Sequence, residues 1–238
     1  MTIVKNDLFD YPNRYIYQYV EGFKFSLDSI LLAEFTQISK NAENILDMCT
    51  GNAPVPLILS TKTKCKIYGF EIQPEISELA EKSVKENRLE DQITIINEDI
   101  KNIIQVFPGK YFDIITCNPP YFSLSDKKVL NKNDALTIAR HEIKIDLEDI
   151  FQIVKNHLKD NGEFYLVHRP SRLDEIILLA DKYQLFVKEL QFIVTKNNIP
   201  SIILLKIKKH AKNGIKYRSI KDVSKLSSYQ RIFEEDSK

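Results

Sequence analysis

From Asn44 to His168 the chain alternates short β-branched runs with longer amphipathic stretches, and few folds can absorb that alternation. Ile45-Leu46-Asp47-Met48-Cys49, Lys66-Ile67-Tyr68-Gly69-Phe70, Ile93-Thr94-Ile95-Ile96-Asn97, Asp113-Ile114-Ile115-Thr116-Cys117 and Glu163–His168 read as buried strands, the last turned in by Asn161-Gly162. Between them lie helical patterns. One is opened by Pro54 at the favoured first position; a second, from Pro74 to Arg88, carries Ile76, Leu79, Ala80 and Val84 on one face. A third holds Ile100, Ile103, Ile104 and Phe107, and a fourth, capped by Asp146, holds Leu147, Ile150, Phe151, Val154 and Leu158. Strands joined by helices need right-handed crossovers, and so a mainly parallel sheet with helices on both faces. A helix over 171–183 and strands near 186–195 and 201–208 complete the pattern; Lys196–Pro200 is too short a link for a crossover, so the last two strands pair antiparallel. The expectation is an α/β, Rossmann-like, seven-stranded, mostly parallel sheet with an antiparallel last strand.

The flanks read differently. Residues 1–25 are aromatic, with Phe9, Tyr11, Phe23 and Phe25 around an alternation of Tyr15, Tyr17 and Tyr19 that suggests a strand whose tyrosine face packs more than it binds. Ser26 or Asp28 can cap a helix carrying Ile30, Leu31, Leu32 and Phe35, and capping is the simpler role for Asp28. Residues 123–140 are polar and without period, which in a compact domain reads as a lid or binding loop. Beyond Lys209 the chain is polar and reads as loosely held. Late in the chain Lys206, Lys208, Lys209, Lys212, Lys216, Arg218, Lys221 and Lys225 cluster against only Asp222, as a solvated surface or one that positions phosphates. The organisation expected is an N-terminal segment with a covering helix over 1–40, the main domain over 41–209 and a basic tail over 210–238.

Charge and cysteine usage exclude more than they select. A net charge of +1 means that any basic surface is local. Cys49, Cys65 and Cys117 are odd in number and lie in or beside apolar runs, as reduced thiols of an intracellular protein do. His141, His157, His168 and His210 show no metal-ligand spacing, so no metal is expected. No apolar run approaches a membrane span, and the N-terminus has no signal-peptide core; a cytoplasmic protein without membrane contact is expected.

In an open parallel sheet, ligands bind beyond the carboxyl ends of the strands, near the switch point. Just past the first four strands stand Asp47 with Gly51, then Glu71, Asp99, and Asn118-Pro119-Pro120-Tyr121. One carboxylate ending a strand is often only a cap; three in succession, with a carboxamide at the fourth, form a set. An acidic residue ending the second strand is the usual partner of ribose hydroxyls. Gly51 stands alone in its loop, with Asn52 as the residue tolerant of left-handed backbone; this argues against a cradled pyrophosphate and permits a nucleoside without phosphates. At the fourth strand the two prolines lack N–H groups and fix their φ, so the Asn118 and Pro119 carbonyls are held with few donors nearby. Asn118 is a neutral acceptor and Tyr121 a ring to stack on, which suits a flat molecule bearing an amine. The plainer alternative is a strand closed by a proline-rich turn.

The segments Phe25–Leu32, Ile45–Asn52, Glu71-Ile72-Gln73, Asn118–Tyr121, Ala139-Arg140-His141-Glu142 and Val167–Leu173 together resemble a class I S-adenosylmethionine-dependent methyltransferase of the amine-methylating group. More closely, they are similar to the bacterial tRNA1(Val) adenine-37 N6-methyltransferase family. Ala53-Pro54 departs from that family's Gly-containing continuation, and the chain from Gln191 on matches it weakly. The resemblance implies that S-adenosylmethionine is held by Phe25, Ser26, Asp28, Asp47, Cys49, Thr50, Gly51, Glu71, Ile72, Asp99, Ile100 and Asn118. Asp47 and Gly51 would border the methionine, Glu71 the ribose and Asp99 the adenine amine. Asn118, Pro119, Pro120 and Tyr121 would be the catalytic element. Tyr121, Phe122, Arg140, His141, Arg169 and Arg172 would meet a tRNA substrate, although Arg140 and His141 could equally begin the next helix. Rival acceptors are a ribosomal guanine, a DNA adenine or a protein glutamine; the rival of another class is a non-catalytic RNA-binding protein that keeps the fold. The oligomeric state is open, with a monomer favoured.

Overall fold

The computed structural model describes residues 2–8, 11–20, 26–121, 145–195, 199–212 and 214–224. In chain order its elements are β1 (Ile3–Asp7), β2 (Tyr15–Tyr19), α1 (Leu27–Phe35), β3 (Asn44–Met48), α2 (Pro54–Leu59), β4 (Lys66–Glu71), α3 (Pro74–Glu86), β5 (Ile93–Asn97) and β6 (Phe112–Cys117). They continue with α4 (Leu147–His157), β7 (Leu158–His168), α5 (Leu173–Lys182), β8 (Leu185–Val194), β9 (Pro200–Lys209), β10 (Lys216–Tyr217) and β11 (Lys221–Asp222).

The main sheet runs β10-β8-β9-β7-β6-β3-β4-β5, with β11 also against β8. Pairings from β5 across to β7 are parallel, and β9 lies antiparallel between β7 and β8. The chain steps outward from β3 to β4 and β5, then returns to place β6 on the other side of β3. The switch point therefore falls between β3 and β6, where a ligand crevice is expected. Both faces of these strands are covered, so neighbouring residues serve opposite cores: Ile45 and Ile114 pack beside α1 and α2, while Leu46 and Ile115 pack with Phe112, Phe151 and Phe164.

Four local expectations are corrected by tertiary context. The stretch Ile100–Gln105 is a 3-10 helix rather than an amphipathic α-helix; its tighter turn stacks Ile100 over Ile103 in the core and leaves Ile104 outside. Asn161-Gly162 does not start a strand, because β7 is continuous from Leu158 and absorbs the extra residues as an irregularity against β6. Glycine is required at 162, where a Cβ would lie 2.6 Å from Leu158 Cδ1 and 3.0 Å from the Asp113 carbonyl oxygen. The chain beyond Lys209 is not loose throughout: β10 and β11 extend the sheet at β8, and Val223 is fully buried. The seven long strands are those anticipated, and these two short ones are added. The fourth correction is β1, whose sequence Ile-Val-Lys-Asn-Asp has no apolar alternation, yet it pairs with β2 from Ile3 opposite Tyr19 to Asp7 opposite Tyr15.

That hairpin is fastened to α3 and its C-cap. The Tyr17 N–H donates to Ser83 Oγ and the Tyr15 N–H to Asn87 Oδ1, each at 2.9 Å, so the edge of β2 finds side-chain partners where a strand would have paired. Lys5 and Lys82 lie 4.1 Å over the Tyr15 and Tyr17 rings, and Glu86 binds both Lys5 and the Tyr17 hydroxyl. The tyrosines of β2 are half-buried under these side chains, and the face that is buried is that of Ile16 and Gln18.

Candidate active site

The loop after β3 is built on alternating left-handed residues: Cys49, Gly51 and Ala53 have φ of 57°, 57° and 69°. Asn52 is not the left-handed residue of this turn. It is buried, and its Nδ2 donates 2.9 Å to the Tyr17 carbonyl, tying the loop to the N-terminal hairpin. A side chain in left-handed backbone costs roughly 1–2 kcal/mol, so Cys49 and Ala53 are held there by the surroundings. The holding bonds are visible. Thr50 N–H donates to the Phe70 carbonyl at 2.8 Å, Gly51 N–H to Glu71 Oε2 at 2.9 Å, and Ala53 N–H to the Thr50 carbonyl at 3.0 Å. Beneath, Asp47 is 1% exposed and accepts from the Thr50 and Thr116 hydroxyls at 2.6 Å each. Burial pushes the Asp47 carboxyl up to about 7 against the pull of those two hydroxyls, and nearby Glu71 adds to the rise.

The next strand ends continue the row. Glu71, buried, also accepts from the Gln73 N–H and Nε2 at 3.0 and 3.1 Å. Ile72 is 36% exposed beside it, while Ile100 is buried. Asp99 caps the 3-10 turn by accepting from Lys101 N–H at 3.0 Å, leaving its second oxygen without a partner among the described residues.

At β6 the corner is held by α1. Asn118 Nδ2 donates to Ser29 Oγ at 2.9 Å, and the Tyr121 hydroxyl lies 2.9 Å from Asn118 Oδ1 and 2.5 Å from Asp28 Oδ2. Asp28 is therefore not the helix cap. Ser26 holds that position without a side-chain cap bond, and the Asp28 carboxylate turns inward to the tyrosine. Burial pushes Asp28 up from its usual range, and burial together with Asp28 pushes the Tyr121 phenol well above 10. The tyrosine keeps its proton and donates it to the carboxylate. His168 meets the Tyr121 ring edge-on at 5.2 Å, and the Arg169 guanidinium lies 4.7 Å over the ring. His168 is no base at neutral pH: burial, with Arg172 nearby, lowers it to about 4, and its Nδ1 accepts from the Arg169 N–H. Pro119 is buried and Pro120 exposed.

Asp47, Thr50, Gly51, Glu71, Asn118 and Tyr121 are thus brought together at the switch point. Arg172 is turned to a bidentate bond with Glu175, 2.5 and 2.7 Å. Phe25, Phe122, Arg140, His141 and the loop over 123–140 lie outside the described residues. The basic cluster is largely spent inside the chain: Lys206 and Lys208 pair with Glu163, Arg218 with Glu189 and Lys221 with Glu34, and Lys209 donates to the Leu158 carbonyl. Lys225 lies outside the described residues. Sequence reasoning missed Ser29, Thr116 and His168. Only the first carried a signal, as a polar neighbour of Asp28 on a largely apolar helix. Among the described residues no helix is long and apolar enough to cross a membrane, and no cluster of His, Cys, Asp and Glu is placed for a metal.

The family profile described as a methyltransferase domain matches residues 39–221. A curated tRNA1(Val) (adenine(37)-N6)-methyltransferase of Trichodesmium erythraeum is 30% identical over 184 residues, covering 74% of this chain and 75% of that protein. A protein of the same name from Phocaeicola vulgatus is 26% identical over 204 residues, covering 85% and 84%. Among solved structures, a predicted O-methyltransferase from Agrobacterium tumefaciens superposes with a TM-score of 0.66 at 16% identity, over 89% of this chain and 96% of that one. The strand order, the site at the switch point and these likenesses agree: the chain belongs to the methyltransferase domain family.

Proposed function

We propose that the chain transfers a methyl group from S-adenosylmethionine to the exocyclic N6 of an adenine in tRNA, with adenine 37 of tRNA1(Val) as the acceptor that its relatives' names favour. The observation that carries this reading is a carboxamide and a tyrosine held by α1, with the buried Pro119 between them, at the strand end next to the loop after β3.

The residues present fit the donor. The N–H groups of Thr50, Gly51 and Ala53 are all spent on internal acceptors, so the loop offers no nest for a pyrophosphate and suits a nucleoside that has none. Asp47 and Gly51 would lie at the methionine end, Glu71 at the ribose and Asp99 at the adenine amine, flanked by Ile72 and Ile100. Glu71 Oε1 already accepts from the Gln73 N–H and Nε2 and Oε2 from the Gly51 N–H, so a ribose hydroxyl would share the carboxylate with these donors. When bound, S-adenosylmethionine supplies a methyl group activated by its sulfonium.

The protein's own work is alignment. An adenine amine is a poor nucleophile because its lone pair is drawn into the ring. Asn118 Oδ1 and the Pro119 carbonyl would accept its two N–H bonds and turn the lone pair toward the methyl carbon. Orientation of this kind contributes up to roughly 7–11 kcal/mol in well-aligned systems. The one Tyr121 hydroxyl proton is donated to Asp28, so Asn118 Oδ1, 2.9 Å from that hydroxyl, is left to accept from the amine. Arg169 covers the ring on which the base would stack, and its planar guanidinium is a fair stand-in for a base. His168 is not the acceptor of the proton released after transfer, being engaged and poorly basic. An unpaired loop nucleotide is the cheapest base to extract from its stack.

The test is incubation of the purified chain with labelled S-adenosylmethionine and unmodified tRNA, followed by nucleoside digestion. N6-methyladenosine is the expected product, lost in Asn118→Ala. No label in any tRNA overturns the substrate, and no label in any amine acceptor overturns the activity.

A further inference from the structure

Cys49 and Cys117 stand side by side at the ends of the two strands that flank the switch point. In the parallel pairing of β3 with β6, Met48 is opposite Cys117, so Cys49 lies one residue beyond that rung. Neighbouring strands run about 4.8 Å apart and one residue adds about 3.3 Å along the strand, so the two Cα atoms lie roughly 5.8 Å apart, inside the roughly 4.4–6.8 Å that a disulfide spans. Both side chains pack into the same apolar cluster, and both thiols are free. Cys49 is half-buried, within reach of small reagents, whereas Cys117 is fully buried. The Cys49 backbone is left-handed, where a glycine would be less strained.

We propose that Cys49 and Cys117 are an oxidation site: a hydroperoxide converts them to a reversible disulfide that ties the loop over 49–53 to the Asn118 corner. The Cys49 sulfur attacks the outer peroxide oxygen, the O–O bond breaks, and the leaving oxygen departs as water or alcohol. The sulfenic acid so formed is attacked by the Cys117 sulfur. The S–O bond breaks, and water leaves with the Cys117 proton. Two thiols and one hydroperoxide thus give one disulfide; the sulfurs lose two electrons and the peroxide gains them. Cys117 is fully buried, and burial with Cys49 alongside holds its thiol well above the usual range, so peroxide reaches Cys49 first and Cys117 meets only the sulfur beside it. The bond draws the two sulfurs to about 2.05 Å. Thr50, whose hydroxyl holds Asp47, follows Cys49 directly, and Asn118 follows Cys117. Closing the bond therefore moves both halves of the site at once.

Cys65 is the internal control, lying at the far end of β3 and β4 and bonded to Thr63 and the Ala42 carbonyl. The experiment treats the full chain and Cys65→Ser with a small excess of hydrogen peroxide, titrates thiols and maps the peptides by mass. In Cys65→Ser two thiols are expected to vanish together, a peptide pair joining 49 to 117 to appear, and dithiothreitol to restore both. In Cys49→Ser, which leaves the core intact, Cys117 is expected to stay reduced. Added oxygen on Cys49 with Cys117 still titratable overturns the proposal; so does an unreactive pair, or oxidation of Cys117 in Cys49→Ser. A calorimetric titration of the oxidised chain with S-adenosylmethionine is expected to show at least about a tenfold loss of affinity, reversed by dithiothreitol. That last arm rests on the proposed cofactor; the thiol count and the peptide map do not, so the two readings fail separately.

Discussion

Asp47 is buried to the point of costing the fold something, and replacing it with asparagine measures how much. Its carboxyl is moved from 3.8 to about 7. At about 1.36 kcal/mol for each step of one, that is on the order of 4 kcal/mol. The folded pKa lies above the unfolded one, so between about pH 4 and pH 7 the folded protein holds a proton that the unfolded chain has released. The stability this supplies is complete below the unfolded value and is lost as the pH rises through 7. Asparagine keeps the shape and bears no charge. Its oxygen can accept from one of the two threonine hydroxyls and its amide donate to the other, at a cost of about 1 kcal/mol for the altered bonds. Urea unfolding of wild type and Asp47→Asn at pH 5, 6, 7 and 8.5 gives the assay. The difference between them should swing in favour of the variant by about 2–3 kcal/mol from pH 5 to pH 7.5, then flatten. Parallel curves would show that the Asp47 charge is not suppressed, and the account of this site would be wrong. The proposed donor adds a corollary. A cationic methionine end beside Asp47 would expel its proton, so binding near pH 6.5 should release protons and binding at pH 9 should not, read from calorimetry in buffers of different ionisation heat.

Three further substitutions probe the site's supports. Ala53→Gly relieves a left-handed alanine and should raise stability by about 0.5–1 kcal/mol in thermal unfolding, once the extra freedom of glycine in the unfolded chain is offset; a loss of stability would contradict the strain. Gly69→Ala puts a methyl 2.9 Å from Thr50 Oγ1 and 3.1 Å from its Cβ, and should cost roughly 1–3 kcal/mol while weakening S-adenosylmethionine binding. Unchanged unfolding and binding would refute that. Ser29→Ala removes the partner of Asn118 Nδ2 and should lower kcat about tenfold with KM for the cofactor little changed; a pure KM effect would assign α1 to binding rather than to aligning the acceptor.

The body of this fold is legible in the chain because strand and helix periods are local. Ile114 and Ile115 face opposite cores merely by being adjacent in a strand, and Asp146 forms its capping box with Asp149, three residues on. The same holds for the row Asp47, Glu71 and Asp99 and for the Asn118 corner, since a strand end and a proline pair are readable where they stand. What the chain alone does not reveal is who holds these groups. Asp28 and Ser29 reach Tyr121 and Asn118 across 93 and 89 residues, and nothing nearby in sequence distinguishes such an aspartate from a helix cap. The left-handed backbone at Cys49 and Ala53 is imposed by bonds from Phe70 and Glu71, against the preference of the residues themselves. A run of lysines reads as an open basic surface until the sheet sets Glu163 and Glu189 across from it. Local pattern settles which elements form and where they end; only the packing of distant segments decides which charges are paired, which backbone is strained and which side chains meet, because those energies belong to contacts and not to residues.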